Sequence, residues 1–595
     1  MTRSALGIIV FALAVGAQSS LAGQEGQAGA RTPIDPLTAS ISGRVTTETG
    51  SPLRRAEVRA TSNGGLTRFT TTDTDGRYVV RDLPAGAFTL HVSKSGFVPL
   101  YFGQRRPFER RTTLQIVPGT RALADVRLPR AGAITGRIVD RTGEPVMGVR
   151  VQALRRRMVN GQRGLQAAGA ADTTDDTGAY RVYGLPPGDY YVTATPRGPD
   201  DRSGRPLPTI LGRNTPIFYP GTANRDEAQR VAVDVAGEAR ADLVLTEVRT
   251  SRLSGIVLTS SGTPATGAMV SLLSRDLSFG GNDVGDALVS LQIQDDADAN
   301  GRFELEGVPP GSFTLRVNTR PGISVPFDPA TQRFTSSPVL PPFETAMVPV
   351  NVDGDNAGLT VTTSPGGAVD VVLVADQGVS APLPDNVRFT ARTSDGNSLS
   401  LMVMDHVRST SANSIAISGS ISAGSSAVSP AGEKATLVLQ APARLSVDGL
   451  PEHWALKAIL LDNEDVTDRL IELRDGPPRT LRVVLTDRVS GVVGSVASSS
   501  FAGNGAAAEA IVLVFADDER KWTYPSRFVR SVRADRGRFE LAGLPPDEYR
   551  AVAVDYLEDG EEYDQDFLKR MRQRATRFSL REGEQIALDL RLALR

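Results

Sequence analysis

The chain of 595 residues contains no cysteine. That excludes disulfides, thiolate zinc sites, iron–sulfur clusters, a cysteine nucleophile and a lipidated N-terminal cysteine. Histidine is scarce too, with only His91, His406 and His453, so imidazole-based metal or acid–base chemistry has little to build on. Aromatic residues make up 6% of the chain. Charge of one sign is also missing. The formal net charge is −2, so no basic field marks a nucleic-acid binder. Long apolar runs are absent after the N-terminus, where runs such as Ala510–Ala516 have strand length. What is present is a globular composition, 40% hydrophobic and 23% charged. The 58 glycines and 38 prolines favour short strands and turns over long helices. At roughly 150 residues per domain, the length suggests about four domains.

The first residues read as a secretory signal peptide, residues 1–22. Arg3 gives a positive start, Leu6 to Val15 an apolar run, and Ser20-Leu21-Ala22 a small-residue cleavage site. Residues 23–38 read as a flexible lead-in. The mature chain is therefore expected to be exported to the periplasm, cell surface or exterior, with no membrane span and no cofactor.

Internal repetition explains most of the rest. Four segments open on one pattern: Ile41-Ser-Gly-Arg-Val45, Ile134-Thr-Gly-Arg-Ile138, Leu253-Ser-Gly-Ile-Val257 and Val489-Ser-Gly-Val-Val493. Apolar residues two apart around a central glycine predict a strand with one buried face. A turn and an aromatic strand follow, at Asp73-Thr-Asp-Gly-Arg-Tyr78, Asp175-Asp-Thr-Gly-Ala-Tyr180, Asp298-Ala-Asn-Gly-Arg-Phe303 and Ala534-Asp-Arg-Gly-Arg-Phe539. The glycine supplies the positive φ of a tight hairpin. A second fixed turn comes next, at Leu83-Pro-Ala-Gly86, Leu185-Pro-Pro-Gly188, Val308-Pro-Pro-Gly311 and Leu544-Pro-Pro-Asp547. Each module then closes on an apolar run such as Ala124–Leu128, Ala241–Leu245 or Leu588–Leu592.

Seven or so short strands per ~100 residues predict β-sandwiches. The expected architecture is all-β: a tandem array of about five modules, semi-rigid, like beads on short linkers. Their expected bounds are 39–130, 131–249, 250–364, 365–487 and 488–595. The fourth is a degenerate copy that keeps Val369–Val374, Ala443–Val447 and Leu481–Leu485 as strands, with a Ser-rich insert at 409–432. One short helix is expected near the C-terminus, from about Asp564 to Thr576. There the acidic run Asp555–Asp566 precedes the basic run Lys569–Arg577, and Asp564 and Asp566 are placed to pair with Lys569 and Arg570.

These motifs resemble the carboxypeptidase regulatory-like domain, the transthyretin-like (prealbumin-like) sandwich attached to some metallocarboxypeptidases and repeated in many exported bacterial proteins. The resemblance implies a non-catalytic module. A zinc peptidase would need a His-x-x-Glu pair and a distant histidine. His91 is followed by Val92-Ser93-Lys94 and His453 by Trp454-Ala455-Leu456, so neither supplies the glutamate. The wider fold group includes carbohydrate-binding-like domains, which implies a glycan partner by fold analogy.

Three kinds of residue are candidates for binding. Sugar platforms use exposed aromatic faces with planar polar groups. Trp522 and Tyr524, Trp454, Tyr101 and Tyr219 are the aromatics singled out for that role, against a bland reading as core or edge packing. The Asp-rich hairpins (Asp73, Asp75; Asp172, Asp175, Asp176; Asp295, Asp296, Asp298) resemble half of a calcium loop, but turn chemistry explains them as well. The acidic run and its helix read as a surface element packed on its sandwich, or as a partner-docking or cation site. The leading expectation is a non-enzymatic binding protein for glycan or envelope polysaccharide. The alternative is a structural spacer or scaffold for a protein partner.

Overall fold

Alternation of apolar residues about a glycine does form the central strand of a sheet, and the same small sheet recurs along the chain. The computed structural model describes residues 39–62, 65–196, 215–246, 248–274, 293–319, 327–328, 333–334, 344–379, 381–384, 387–393, 398–399, 402–404, 426–428, 435–439, 442–473, 475–497 and 510–593. The signal segment 1–22, the lead-in 23–38, His406 and most of the insert 409–432 lie outside them. Strands dominate, and the described residues contain one α-helix, Gln565–Arg572.

In the first repeat, the opening strand Ala39–Thr47 pairs antiparallel with Arg77–Leu83 and parallel with Arg121–Leu123 and Val126–Leu128. The facing sheet runs Thr67–Thr71, Glu57–Ser62, Gly86–Ser93, Leu100–Tyr101, with Leu114–Ile116 also on Gly86–Ser93. The second repeat reproduces this with Gly132–Val139 between Ala179–Leu185 and the two segments Glu238–Arg240 and Leu243–Val244. Ser251–Leu258 sits likewise between Arg302–Val308 and Asn356–Thr362, and Gly491–Ala497 between Arg538–Ala542 and Gln585–Ala593. Each sandwich buries the inward half of its strands, as Phe88, Leu90 and Val92 do in Gly86–Ser93.

The degenerate repeat departs from this order. Its opening strand Gly367–Ala375 keeps the parallel neighbour Arg479–Thr486, but its antiparallel neighbour is Ala435–Leu439. Ala455–Leu461 then pairs with Arg479–Thr486 on the far side.

The repeated glycine has a steric cause. A Cβ on Gly43 would lie 2.1 Å from the carbonyl oxygen of Ala124, and on Gly136 2.0 Å from that of Ala241. The equivalent distances are 2.2 Å from Gly255 to Leu359 and 1.9 Å from Gly494 to Leu588. The closing strand crosses so near the opening strand that no side chain fits. In two repeats a tyrosine hydroxyl beside the glycine locks the same carbonyl. The hydroxyl of Tyr78 donates to Ala124 O, and that of Tyr180 to Ala241 O at 2.5 Å. The proline turn has its own lock: Tyr190 donates to Pro186 O at 2.5 Å and Tyr549 to Pro545 O at 2.7 Å. Burial pushes the Tyr190 phenol up to about 12.

Two expectations are corrected. The helix covers only Gln565–Arg572, because Asp564 is its N-cap and accepts from the amides of Asp566 and Phe567, while Thr576–Leu580 is a strand. The beads-on-linkers picture also fails, since the last repeat packs against the first, second and fourth.

Candidate functional site

Trp522 and Trp454 are core residues. Trp522 sits in the four-residue 3-10 turn Glu519–Trp522, is 1% exposed, and donates its indole N–H to Ala516 O at 2.7 Å. It fills a second apolar layer with Leu513, Phe515, Phe567, Leu568 and Met571, beneath the helix. Trp454 is 4% exposed, in the core of the degenerate repeat. Neither presents the open ring face that stacking on a sugar requires, so the expected Trp522–Tyr524 platform does not form.

The tyrosines are covered in part. Tyr524 lies at a three-way junction: it packs edge-on against Tyr563 at 4.8 Å, the guanidinium of Arg392 stands 5.2 Å from its ring, and it fills the space beside Gly161. Tyr101 is half-buried, between His91 at 4.9 Å and the guanidinium of Arg111 at 5.2 Å. Tyr219 is half-buried against the core of the second repeat. The structure does not bring the five candidates together.

The leading aspartate of each of the three hairpins is spent on its own turn, and Asp172 and Asp295 accept from the amides of Arg181 and Glu304. Asp73 Oδ1 accepts from the amides of Asp75 and Arg77, Asp175 Oδ1 from Thr177 and Ala179, and Asp298 Oδ1 from Asn300 and Arg302. The Thr177 hydroxyl and these amides hold the Asp175 carboxyl below the usual range. This is the turn reading of the pattern. His453 is exposed on a turn, 6.3 Å from Trp454.

The concentration of interacting charge lies elsewhere, in a seam between the first, second and fifth repeats. Its acidic side is the run Asp555–Asp566 and its basic side is five arginines. Arg106 meets Asp555 at 3.1 Å, and Arg110 meets Asp559 at 3.2 Å and also Glu562. Glu558 is held between Arg155 at 2.8 Å and Arg157 at 3.3 Å. Arg163 clasps Asp564 through two nitrogens, at 2.7 and 3.2 Å, and also reaches Asp566. The expected pairing of Asp564 and Asp566 with Lys569 and Arg570 is thus replaced. Lys569 and Arg572 turn to Glu519, and Arg570 lies over Phe567.

Backbone contacts knit the same seam. The Asp559 amide donates to Phe108 O at 2.8 Å, and the Tyr556 hydroxyl to Pro107 O at 2.7 Å. The Phe108 ring packs on the core of the second repeat between the guanidinium groups of Arg155 and Arg157, at 4.8 and 4.5 Å. Gly560, at φ 91°, lets the loop pass Met158, whose carbonyl oxygen would lie 2.8 Å from an added Cβ. Beyond it, Arg533 reaches back to Glu109 at 3.0 Å. Burial pushes the Glu562 carboxyl up despite Arg110, and Asp564, although partly buried, is held down by Arg163 and by the amides it caps. A cleft beside the seam is lined by Arg110, Arg533, Leu557, Glu558 and Glu562. Its charges are paired across the two faces.

The sequence carries a signal for this seam in its charge pattern. The arginine doublets and triplet Arg105-Arg106, Arg110-Arg111 and Arg155-Arg156-Arg157 complement the one dense acidic run. Among the described residues, no group of three or more His, Asp or Glu is arranged to hold a metal ion. Among them, too, no helix is long and apolar enough to cross a membrane.

Fold and motifs together define a multi-domain protein of all-β sandwich modules. More particularly, residues 40–129 and 133–246 match the carboxypeptidase regulatory-like domain, and these two repeats are domains of that family. No curated protein matches the chain. Among solved structures, a streptococcal ancillary pilin is 12% identical, over 55% of this chain and 98% of its own, at a TM-score of 0.18. The Bacillus anthracis TIE protein is 12% identical over 55% of this chain, at a TM-score of 0.14, and the chain spans 50% of that protein's length. Hydroxyquinol 1,2-dioxygenase from Pseudomonas putida DLL-E4 is 13% identical over 16% of this chain and 57% of its own, at a TM-score of 0.13. At such identities and scores the likeness supports no transfer of function.

Proposed function

We propose that this chain is an exported, non-catalytic scaffold of five β-sandwich modules, bounded near 39–130, 131–249, 250–364, 365–487 and 488–595, that serves a protein partner at the cell envelope. The observation that carries the proposal is the placement of the repeated side chains. The motif glycines, tyrosines and aspartates are consumed in crossings, carbonyl locks and turns, and both tryptophans are buried. The modules therefore repeat a way of folding, and no chemical centre repeats with them. The apolar N-terminal run Leu6–Val15 supports export.

The glycan reading rests on fold analogy, and buried tryptophans give it no platform, so the scaffold reading takes precedence. Cross-linking in the native envelope followed by mass spectrometry tests it. A reproducible protein neighbour is the expected result. Recovery of no neighbour, together with binding to insoluble polysaccharide or a glycan array with or without calcium, overturns it.

A further inference from the structure

The seam joins segments about 400 residues apart in sequence, and its character is that of an exchangeable contact. Arg106, Arg110, Asp559 and Asp566 each remain more than half exposed while engaged, whereas at the centre Glu562 is buried and Arg157 and Glu558 are largely covered. A polar rim around a small buried centre describes a transient interface better than a permanent core. Exposed ion pairs of this kind are individually weak and screened by salt. The acidic segment also uses chemistry that any acidic polypeptide offers: carboxylates to arginine forks, one backbone amide and one tyrosine hydroxyl.

We propose that the arginine face of the first and second modules (Arg106, Arg110, Arg155, Arg157 and Arg163) is a docking surface for acidic polypeptide, which the chain's own segment Asp555–Asp566 occupies as a built-in plug. The proposal builds on the scaffold reading by naming the chemistry of its partner. Three observations select this occupant. The face is fitted to a run of carboxylates on a turning segment, as the seated residues Asp555–Asp566 show directly. It holds a bidentate site at Arg163 and a two-arginine grip on Glu558, geometries that favour carboxylate over an undirected anion. It also offers the carbonyls of Pro107 and Phe108 as acceptors, which only a ligand with donors can use. Tethering gives the plug a high effective concentration, so a partner in trans binds only when the plug is released.

The test uses the full chain and the dodecamer peptide of sequence Asp555–Asp566. In the variant E558Q/D559N/D564N/D566N the plug loses four of its seven carboxylates, including every one that meets Arg155, Arg157 or Arg163, while the arginine face stays intact. By small-angle scattering at low salt the variant is expected to be more extended than the parent, and the parent to extend similarly in 1 M salt. The labelled peptide is expected to bind the variant at least tenfold more tightly than the parent. Adding R155A/R157A/R163A is expected to abolish that binding.

A variant as compact as the parent overturns the proposal, because the charges then do not hold the plug. A variant that opens yet binds the peptide no better also overturns it. Should the fourfold variant fail to fold, charge exchange decides: R163E alone is expected to loosen the chain, and D564R/D566R to restore it. Failure of that rescue counts against the proposal. Any of these negatives leaves the envelope cross-linking result, and with it the scaffold reading, untouched.

Discussion

Replacing Gly136 by alanine tests whether the repeated glycine exists for the strand crossing. The added Cβ would lie 2.0 Å from Ala241 O and 2.7 Å from its carbonyl carbon, both backbone atoms that cannot rotate aside. Ordinary contact begins near 3.4 Å, so the closing strand must retreat by about 1.4 Å. Overpacking of this kind costs about 1–3 kcal/mol. The retreat also strains the bond from Tyr180 to Ala241 O, and a buried carbonyl left unpaired costs about 1–3 kcal/mol more. Together that is about 4 kcal/mol, or roughly a thousandfold increase in local opening. A melt of a five-module chain is not a two-state quantity, so the readout must be local. Hydrogen-exchange mass spectrometry on peptides covering residues 132–139 and 238–246 supplies it. Gly143→Ala is the control: it has φ 86° but nothing within 4 Å of an added Cβ, so only left-handed backbone strain of about 1–2 kcal/mol applies. If the Gly136 variant keeps the protection of the Gly143 variant, the crossing does not explain the motif.

The remaining predictions concern single groups. Tyr180→Phe is expected to raise exchange at residues 238–246 without the full effect of Gly136→Ala, because it removes the bond to Ala241 O and leaves the packing; unchanged exchange refutes the lock. Trp522→Ala is expected to destabilise the last module by about 3–5 kcal/mol, through the cavity left under the helix, and to leave retention on polysaccharide unchanged; altered retention would restore a glycan role to this residue. The Arg520 guanidinium beside Asp518 holds its carboxyl down at about 2, so its stabilising contribution is present above the ordinary aspartate range and lost as pH falls from about 4 to about 2. A carboxyl carbon titration by NMR with a midpoint near 4 would contradict this. Gly560→Ala, at φ 91° against Met158 O, is expected to part the last module from the second without unfolding either; unchanged scattering would refute that contact as a constraint.

Local rules made most of the fold legible. The alternating strands about Gly43, Gly136, Gly255 and Gly494, the hairpin glycines and the proline turns are short-range patterns, and the structure places each in its expected role. The degenerate repeat was read less well, because strand order is a long-range property and Ala435–Leu439 carries no motif. The fate of Trp522 was legible in principle. The run Ala510–Ala516 is apolar at every position, not at alternate ones, which marks a strand covered on both faces. Val512 and Val514 face the sandwich while Leu513 and Phe515 face the layer that holds Trp522 and the helix. A helix with Phe567, Leu568 and Met571 on one side needs such a partner, and Trp522 lies between them.

The seam was not legible by the same means, because helix-dipole and i,i+4 rules look only four residues away. Those rules assigned Asp564 and Asp566 to Lys569 and Arg570, whereas the carboxylates found Arg163, about 400 residues earlier. The two solutions differ physically. A local pair stabilises only its own helix turn, while a distant pair closes a chain. The absence of cysteine gives this closure its character. No disulfide fixes the last module to the first two, so apart from Tyr524 beside Gly161, the Tyr556 hydroxyl and a few backbone contacts the closure depends on carboxylate–arginine pairs, several of them open to solvent. A contact of that composition weakens with ionic strength while the modules, each held by its own apolar core, do not. Separation of the modules therefore precedes their unfolding, and the arginine face is uncovered in a chain that is still folded.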